Sequence, residues 1–277
     1  MGKISTFSPK FYFDGVSNLA FGGDLKGNIW RFDLTKESTA TGAVRKLATL
    51  MKGTVIQPIT AKIEVGLLPN RSEPVLFAAT GQYLNVDDVI NNASQSLYAI
   101  LDAYSSTSPP STDNFYGSPR TTTAPKPFVQ QLISNTAAGV RTISQNDVDW
   151  STKSGWYTDF PDFGERVSLD PSLVLGTLTV ATNVVNSTTA DACEIGGYSW
   201  LYQLDYTTGG KIATAPSDAV AYKVPGALVV GTVVVRLPSG VLKIITTTAT
   251  GAKIPYGLNT GTSSLFGRRL SWREISQ

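Results

Sequence analysis

The sequence predicts an all-β fold. Only 16% of its 277 residues are charged, where about a quarter is usual, and Thr, Ser, Gly and Val are abundant instead. These residues favour strands and turns, and the Leu, Glu, Lys and Ala patterns of long helices are scarce. A further observation, a hairpin unit that occurs three times along the chain, predicts how the strands are arranged.

Each copy of this unit ends in a short apolar strand that carries an aromatic residue and closes on Asp. The three closing strands span 28–33, 96–102 and 199–205, and a second apolar run precedes each of them at 19–21, 75–79 and 173–178. Repeated hairpins of this kind build repeated sheets, as in a β-propeller. We therefore expect a β-propeller-like array, with an ordinary β-sandwich as the alternative.

The three copies are unevenly spaced. Their aromatic residues, Trp30, Tyr98 and Tyr202, lie roughly 70 and then roughly 100 residues apart, whereas one propeller blade takes about 40–50 residues. Large insertions must therefore interrupt the array. The second copy also has one more residue between its aromatic and its Asp than the other two copies have.

The remaining strands and turns follow from local composition. The first hairpin turns at 24–28, where Gly27 supplies the positive φ of a tight turn. Residues 86–89 predict a helical turn. The β-branched runs 174–183 and 227–235 are typical of buried strands.

One segment interrupts the strand pattern. Residues 104–127 are rich in Ser, Thr and Pro, so we expect an exposed insertion that packs no core.

Residues 267–275 alternate apolar and charged side chains, as an edge or closing strand would. We expect five aromatic residues to pack between the sheets: Trp30, Tyr98, Trp156, Trp200 and Trp272.

Composition excludes several classes of function. The chain has no His, which removes histidine-based triads, histidine general bases and His-ligated zinc. Its single cysteine, Cys193, forms neither an internal disulfide nor a cysteine zinc site. A net charge of +2 without a dense basic stretch argues against nucleic acid as a partner.

Targeting signals are equally sparse in the sequence. The apolar runs are too short to span a bilayer, so we predict a chain that is not membrane-spanning. No apolar signal-peptide region follows Met1, and an exported protein would carry its signal outside this chain.

Three carboxylates lie close together in the sequence. Asp159, Asp162 and Glu165 surround Pro161 and Gly164. Carboxylate chemistry is formally possible there, but the Pro and Gly residues indicate that these side chains hold turns.

The candidate metal ligands are Asp14 and Asn18. With Gly15, they match the fifth, sixth and ninth places of a calcium-binding loop. The first and third places would be Lys10 and Tyr12, which supply no carboxylate, so a plain Asp-Gly turn is the alternative.

Several stretches together resemble one known family. They are, in chain order, 23–33, 57–61, 80–84, 95–98, 155–157, 164–167, 199–202 and 267–274. The set resembles the C-terminal β-propeller domain of the PilY/PilC-type tip adhesins of bacterial type IV pili. Because the matching stretches keep the family's order, the set is more specific than any one of them.

The resemblance implies a non-enzymatic module at the pilus tip, outside the cell. Its partners would be minor pilins of the tip complex and a host or abiotic surface receptor. It would support attachment, twitching motility, and pilus extension and retraction, often with calcium. Residues 1–277 would then be a single propeller-type domain, the C-terminal part of a larger protein. The family's acidic run before the first hairpin is reduced here to Asp14, Gly15 and Asn18.

Two other functions remain open on the sequence. The aromatic-x-x-Asp repeats are similar to those of quinoprotein dehydrogenase propellers, which need polar and carboxylate ligands for a quinone in a central channel. A carbohydrate-binding β module would instead need aromatic side chains exposed side by side.

Overall fold

The computed structural model describes residues 2–8, 16–121, 127–136, 139–186, 196–224 and 226–261. Within these ranges the chain forms an all-β fold, as the sequence predicts, with two short 3₁₀ turns at Val86–Val89 and Ala103–Ser105. The strands are β1 (Ile4–Phe7), β2 (Leu19–Gly23), β3 (Asn28–Asp33), β4 (Val44–Thr49), β5 (Met51–Lys52), β6 (Val55–Ile56), β7 (Glu64–Leu67), β8 (Pro74–Ala79), β9 (Ser96–Leu101), β10 (Phe128–Gln131), β11 (Ile133–Asn135), β12 (Val140–Ile143), β13 (Gly155–Asp159), β14 (Ser172–Val174), β15 (Thr177–Asn186), β16 (Gly196–Asp205), β17 (Ala221–Val224), β18 (Val229–Arg236), β19 (Leu242–Thr248) and β20 (Lys253–Gly257).

The strands form four successive sheets and one small ribbon, β5-β6. The strand orders are β1-β2-β3-β4 in sheet 1, β10-β13-β9-β8-β7 in sheet 2, β11-β12-β17-β16-β15-β14 in sheet 3 and β18-β19-β20 in sheet 4. Two of the three predicted hairpin units are confirmed as the antiparallel pairs β2–β3 and β8–β9. The third unit forms the pair β15–β16, but the predicted first strand 173–178 was wrong, because Leu175 and Gly176 take positive φ and turn the chain from β14 into β15. Each pair lies within a different sheet.

An exchange of strands explains the long gap between the second and third units. The chain leaves sheet 2 after β10, adds the hairpin β11–β12 to sheet 3, and returns to sheet 2 as β13. There β10 and β13 pair in parallel. The hairpin β11–β12 therefore belongs spatially to the third unit although it precedes that unit in the chain.

The sheets stack face to face with an apolar core at each interface. Phe21 and Ile29 of sheet 1 pack with Leu76 of sheet 2. On the opposite face of sheet 2, Phe77 packs with Leu178 of sheet 3. Side chains alternate between the two faces of a strand, so β8 and β9 are buried on both faces. A third core lies between sheets 3 and 4.

One edge strand from each of sheets 1, 2 and 3 (β1, β7 and β14) lies beside the next. Strand β7 contacts both β1 and β14. The hydroxyl of Ser5 on β1 donates to the carbonyl of Ile63, just before β7. The Lys3 Nζ atom lies 2.7 Å from an Asp170 carboxylate oxygen near β14. Edge strands that meet in this way are typical of propeller blades arranged around one axis.

The turn of the first hairpin forms as predicted. Gly27 has φ of +71°, and a Cβ atom there would lie 2.5 Å from the Leu50 carbonyl oxygen. The Asp24 carboxylate accepts hydrogen bonds from the backbone N–H groups of Lys26 and Asn28, both at 2.9 Å. It also accepts from the Trp30 indole at 2.9 Å. The predicted helical turn at Val86–Val89 is present as well and begins at a capping box.

The segment 104–127 differs in part from the prediction. Residues 107–109 and 111–113 are exposed, but Tyr104 and Tyr116 are buried in the core between sheets 1 and 2. Phe115 is partly buried against the same core, so three aromatic residues among the Ser, Thr and Pro give this segment enough apolar surface to pack. Whether residues 1–277 form a single domain stays a prediction.

The segment also covers an edge of sheet 1. Residues 114–117 lie along β4, where the Asn114 N–H donates to the Lys46 carbonyl at 2.8 Å and the Thr49 N–H donates to the Gly117 carbonyl at 2.7 Å. The insertion therefore satisfies backbone groups that an open edge strand would leave unpaired.

The outer edge of sheet 4 carries a proline. Hydrogen bonds join Thr248 to Ala252 and Leu258 to Leu242, and β19 and β20 pair in register between them. Because hydrogen-bonded pairs alternate along an antiparallel ladder, the backbone nitrogen of Pro255 is directed away from β19. Proline has no N–H, so it weakens this edge as a template for another strand.

The predicted aromatic packing is confirmed at three positions. Tyr98, Trp156 and Trp200 are buried in the cores. Trp30 is half-buried, on the face of β3 opposite Ile29. Trp272, residues 267–275 and Cys193 lie outside the described residues.

Candidate binding cleft

A cleft of ≈ 460 Å³, lined by both polar and apolar side chains, opens where sheets 2 and 3 exchange strands. Its volume is in the range of small-molecule sites. Three parts of the chain line it: 92–94 before β9, the crossing from β10 to β11 at 130–133, and the loop 159–163 after β13, with Lys52 of β5 beside them.

Two large apolar side chains lie at this cleft and are exposed. Phe163 is 85% exposed and Leu132 is 57% exposed. Beside them the neutral polar side chains Asn92 and Gln130 are also exposed. An aromatic ring beside polar groups is an arrangement that binds ligands with one apolar and one polar side.

The loop that carries Phe163 is anchored on both sides of it. Before it, the Asp162 carboxylate lies 2.6 Å from Arg141 of β12. The same carboxylate accepts from the Trp200 indole at 2.9 Å and from the Tyr198 hydroxyl at 3.0 Å. After it, Gly164 takes φ of +70° and leads into a fully buried glutamate. Phe163 is therefore held on a fixed support.

That glutamate, Glu165, forms a buried ion pair with Arg141. The Arg141 Nη1 atom lies 2.8 Å from Glu165, and both side chains have no exposed surface. Thr182 and Tyr202 donate hydrogen bonds to the same carboxylate at 2.6 and 2.8 Å. Burial raises the pKa of Glu165, although the neighbouring Arg141 acts in the opposite direction. Burial likewise raises the pKa of Tyr202.

Arg166 joins the Phe163 loop to the loop 82–92. Its guanidinium donates to the carbonyls of Gln82, Asp88 and Asn91. The Asp88 carboxylate in turn accepts from the Leu84 N–H at 2.7 Å. The loops on either side of the cleft are thus held together by hydrogen bonds.

Asp159 forms the charged wall of the cleft. Its carboxylate lies 3.0 Å from Lys52, accepts from the Ser96 hydroxyl at 2.6 Å and pairs with Arg120. Burial alone would raise the pKa of Asp159, but hydrogen bonds from Arg120 and Ser96 outweigh it and lower that pKa. The Arg120 guanidinium also lies 4.5 Å from the Tyr157 ring centre. At neutral pH this wall is an ionised network.

The three carboxylates that the sequence groups together therefore have two roles. Glu165 and Asp162 do hold a turn, since the Asp162 N–H donates to Glu165 at 3.2 Å and the Glu165 N–H donates to the Asp162 carbonyl at 3.2 Å. All three also pair with arginines, which the sequence reasoning missed. Arg120 and Arg141 are distant in the sequence, and the only local signal is that each lies in a stretch without another charged residue nearby.

The predicted calcium ligands are not tested by this geometry. Asp14 lies outside the described residues. Asn18 is half-buried beside sheet 1, and its backbone pairs with Phe7 and Leu34. Calcium takes six to eight oxygen ligands, and the described part of the chain contains no cluster of three or more His, Cys, Asp or Glu side chains. The described residues alone do not complete a site, and calcium binding stays a prediction.

Comparison with known proteins supports the resemblance drawn from the sequence motifs. A family model described as the PilY1 beta-propeller domain matches residues 8–119. The type IV pilus biogenesis factor PilY1 of Pseudomonas aeruginosa is 28% identical over 243 residues, which cover 74% of this chain and 20% of that protein. The resemblance to the PilY/PilC-type propeller family is confirmed.

A further relative and a solved structure share this resemblance. A PilY1 homolog of Xylella fastidiosa is 27% identical over 217 residues, covering 71% of this chain and 14% of the homolog. The crystal structure of the Pseudomonas aeruginosa PilY1 C-terminal domain superposes with a TM-score of 0.68 at 20% identity, covering 88% of this chain and 58% of that one. The β-propeller-like fold class is confirmed.

This chain corresponds to only a part of each PilY1 relative. This chain spans 14% to 20% of the length of these two curated relatives. Within the described residues, no helix has the length and apolarity required to cross a membrane.

Proposed function

We propose that this chain is a non-enzymatic module of type IV pilus biogenesis. It acts outside the cell at the pilus tip, where it docks to minor pilins and supports attachment, twitching motility, and pilus extension and retraction. The observation that carries this proposal is the match of residues 8–119 to the PilY1 propeller domain, extended by relatives named as type IV pilus biogenesis factors.

The geometry of the cleft supports a binding role over a catalytic one. The carboxylates at the cleft wall are already paired with arginine and lysine side chains. A general acid or base needs a pKa near the working pH, and the pKa of Asp159 is shifted the other way, below its usual value. The ionised network instead gives the loops a fixed shape.

The test is made in the bacterium that encodes this chain. Its coding sequence is deleted and then restored as wild type or as Val86→Ala, an exposed control. We expect the deletion to reduce the number of surface pili and the twitching zone, and both restored strains to recover them. The chain should also be found with pili sheared from the cells.

Two results would count against the proposal. One is unchanged piliation and twitching in the deletion strain together with no chain in the sheared fraction. The other is a bound quinone in the absorbance spectrum of the purified chain, because it would favour the dehydrogenase alternative.

A further inference from the structure

We propose that the cleft beside Phe163 binds a neutral sugar unit of a surface glycan. A sugar ring has an apolar C–H face and a rim of hydroxyl groups. It therefore needs an exposed aromatic ring next to side chains that both donate and accept hydrogen bonds. The cleft places these two features on adjoining segments of the chain.

The aromatic surface is the ring of Phe163. It is 85% exposed, while its neighbours Asp162 and Glu165 are fixed by Arg141. A side chain on a rigid support loses less conformational entropy when a ligand binds than one on a mobile loop. Leu132, which also lines the cleft, extends this apolar rim.

The groups that would bind the sugar hydroxyls are the neutral polar side chains that line the cleft. Asn92 and Gln130 are exposed amides, which can donate and accept at once; the Gln130 Oε1 atom also accepts from the Tyr157 hydroxyl at 3.4 Å, which orients this side chain. Ser94 also lines the cleft, and its hydroxyl accepts from the Lys52 Nζ atom at 3.1 Å. The charged groups at the cleft carry no net charge together, because three cations (Lys52, Arg120 and Arg141) pair with three carboxylates (Asp159, Asp162 and Glu165). The amide and hydroxyl groups are therefore the polar groups left to bind a neutral ligand.

The backbone at this cleft argues against an added peptide strand. The Gln130 carbonyl already accepts from the Asn146 side chain at 2.7 Å. The Leu132 N–H already donates to the Ser144 hydroxyl at 2.9 Å. Peptides that extend a sheet rely on free backbone groups at its edge, so the side chains are the recognition elements here.

The test measures sugar binding by the purified 277-residue chain and does not depend on pilus assembly. Saturation-transfer NMR is recorded with methyl β-galactoside, methyl α-mannoside, N-acetylglucosamine and cellobiose, each at up to about 20 mM, because single-sugar affinities near 1 mM correspond to only about 4 kcal/mol. We expect at least one sugar to bind. Phe163→Ala should weaken it at least tenfold and Gln130→Ala at least threefold.

The matched control is Val86→Ala. Val86 is 83% exposed on the loop that Arg166 joins to the Phe163 loop, and it does not line the cleft. Val86→Ala should leave the sugar affinity unchanged. All three variants should have the melting temperature of the wild type, because each of them changes an exposed side chain. Silence of every sugar would overturn the proposal. So would equal binding by wild type and Phe163→Ala, or binding of a hydrophobic peptide at the cleft without any sugar.

Discussion

The Asp residues that close the three hairpin units should differ sharply in their contribution to stability. Asp33 and Asp205, the last residues of β3 and β16, each accept hydrogen bonds from a Thr two residues later. Asp102 has no exposed surface. Its carboxylate lies 2.9 Å from the Arg31 Nε atom and accepts from the Ser105 hydroxyl at 2.6 Å. It therefore joins sheet 2 to sheet 1 through a buried ion pair.

The magnitudes follow from these surroundings. Replacing Asp33 or Asp205 by Ala removes turn hydrogen bonds worth about 1 kcal/mol. Asp102→Ala leaves the buried Arg31 without its main partner, and losing one member of a buried pair costs about 3–5 kcal/mol. Urea unfolding of the purified chain measures all three. If Asp102→Ala does not fold, Asp102→Asn keeps an acceptor and should cost about 2 kcal/mol.

A double replacement separates pairing from packing. Arg31→Met with Asp102→Leu removes both charges together, and buried pairs replaced by apolar residues of similar size often lose little stability. We expect this variant to lie within about 1 kcal/mol of the wild type. The reasoning is refuted if the three Ala variants lose equal free energy, or if the double variant is less stable than Asp102→Ala alone.

Four further predictions concern other parts of the chain. Glu165→Gln should lower the free energy of unfolding by about 2 kcal/mol, because the buried Arg141 then keeps Asp162 but loses Glu165 as a charged partner; an unchanged urea midpoint would contradict this. The lowered pKa of Asp159 means that its stabilisation is present above the unfolded-state pKa and is lost as pH falls below about 4. Asp159→Asn should therefore flatten the acid side of the stability profile, and parallel profiles would disprove it. Gly81→Ala would place a Cβ atom 2.4 Å from a backbone oxygen, and we expect it to lower the free energy of unfolding by at least about 3 kcal/mol. Gly53→Ala has open space around it and should lower that free energy by only about 1–2 kcal/mol, because of its positive φ. Equal losses of free energy in the two variants would show that the clash at Gly81 is relieved. Isothermal calorimetry on the metal-stripped chain should detect heat from calcium binding, and Asp14→Ala should abolish that binding. No heat from the wild-type chain would contradict the calcium prediction.

The hairpin units were predictable because their signals are local. An apolar run, a Gly turn and a second run ending in Asp determine β2–β3 with no information from elsewhere in the chain. The strand exchange around β11 and β12 was not predictable, because a hairpin that joins the following sheet has the same sequence pattern as one that joins the preceding sheet.

One buried ion pair did leave a sequence signal. The second copy has an extra residue between its aromatic and its Asp. Because side chains alternate along a strand, this residue places Asp102 on the same face as Tyr98 and Ile100, which is the face toward sheet 1. Arg31 lies on the corresponding face of β3 beside Ile29. Side-chain alternation thus identifies which Asp meets the arginine, although not that the two sheets are neighbours.

The cleft itself could be predicted only in part. The three carboxylates were visible, but their partners Arg120 and Arg141 reach them from segments that the sequence does not connect. Arg120 lies in the segment whose Ser, Thr and Pro content predicts exposure, and the aromatic residues there, Tyr104, Phe115 and Tyr116, make that prediction wrong in part by packing against the core. Average composition missed them because a few large apolar side chains determine whether a segment packs.

The sheet edges bear on how a partner could bind. An open edge offers unpaired backbone groups to any strand of suitable shape. Here residues 114–117 cover the edge of sheet 1, Pro255 interrupts the outer edge of sheet 4, and side chains cap Gln130 and Leu132 at the edge of β10. Recognition at these three places must rely on side chains, whose identity sets specificity. The exposed Phe163 on its fixed loop is such a side chain, and replacing it should change ligand binding while leaving the stability of the fold intact.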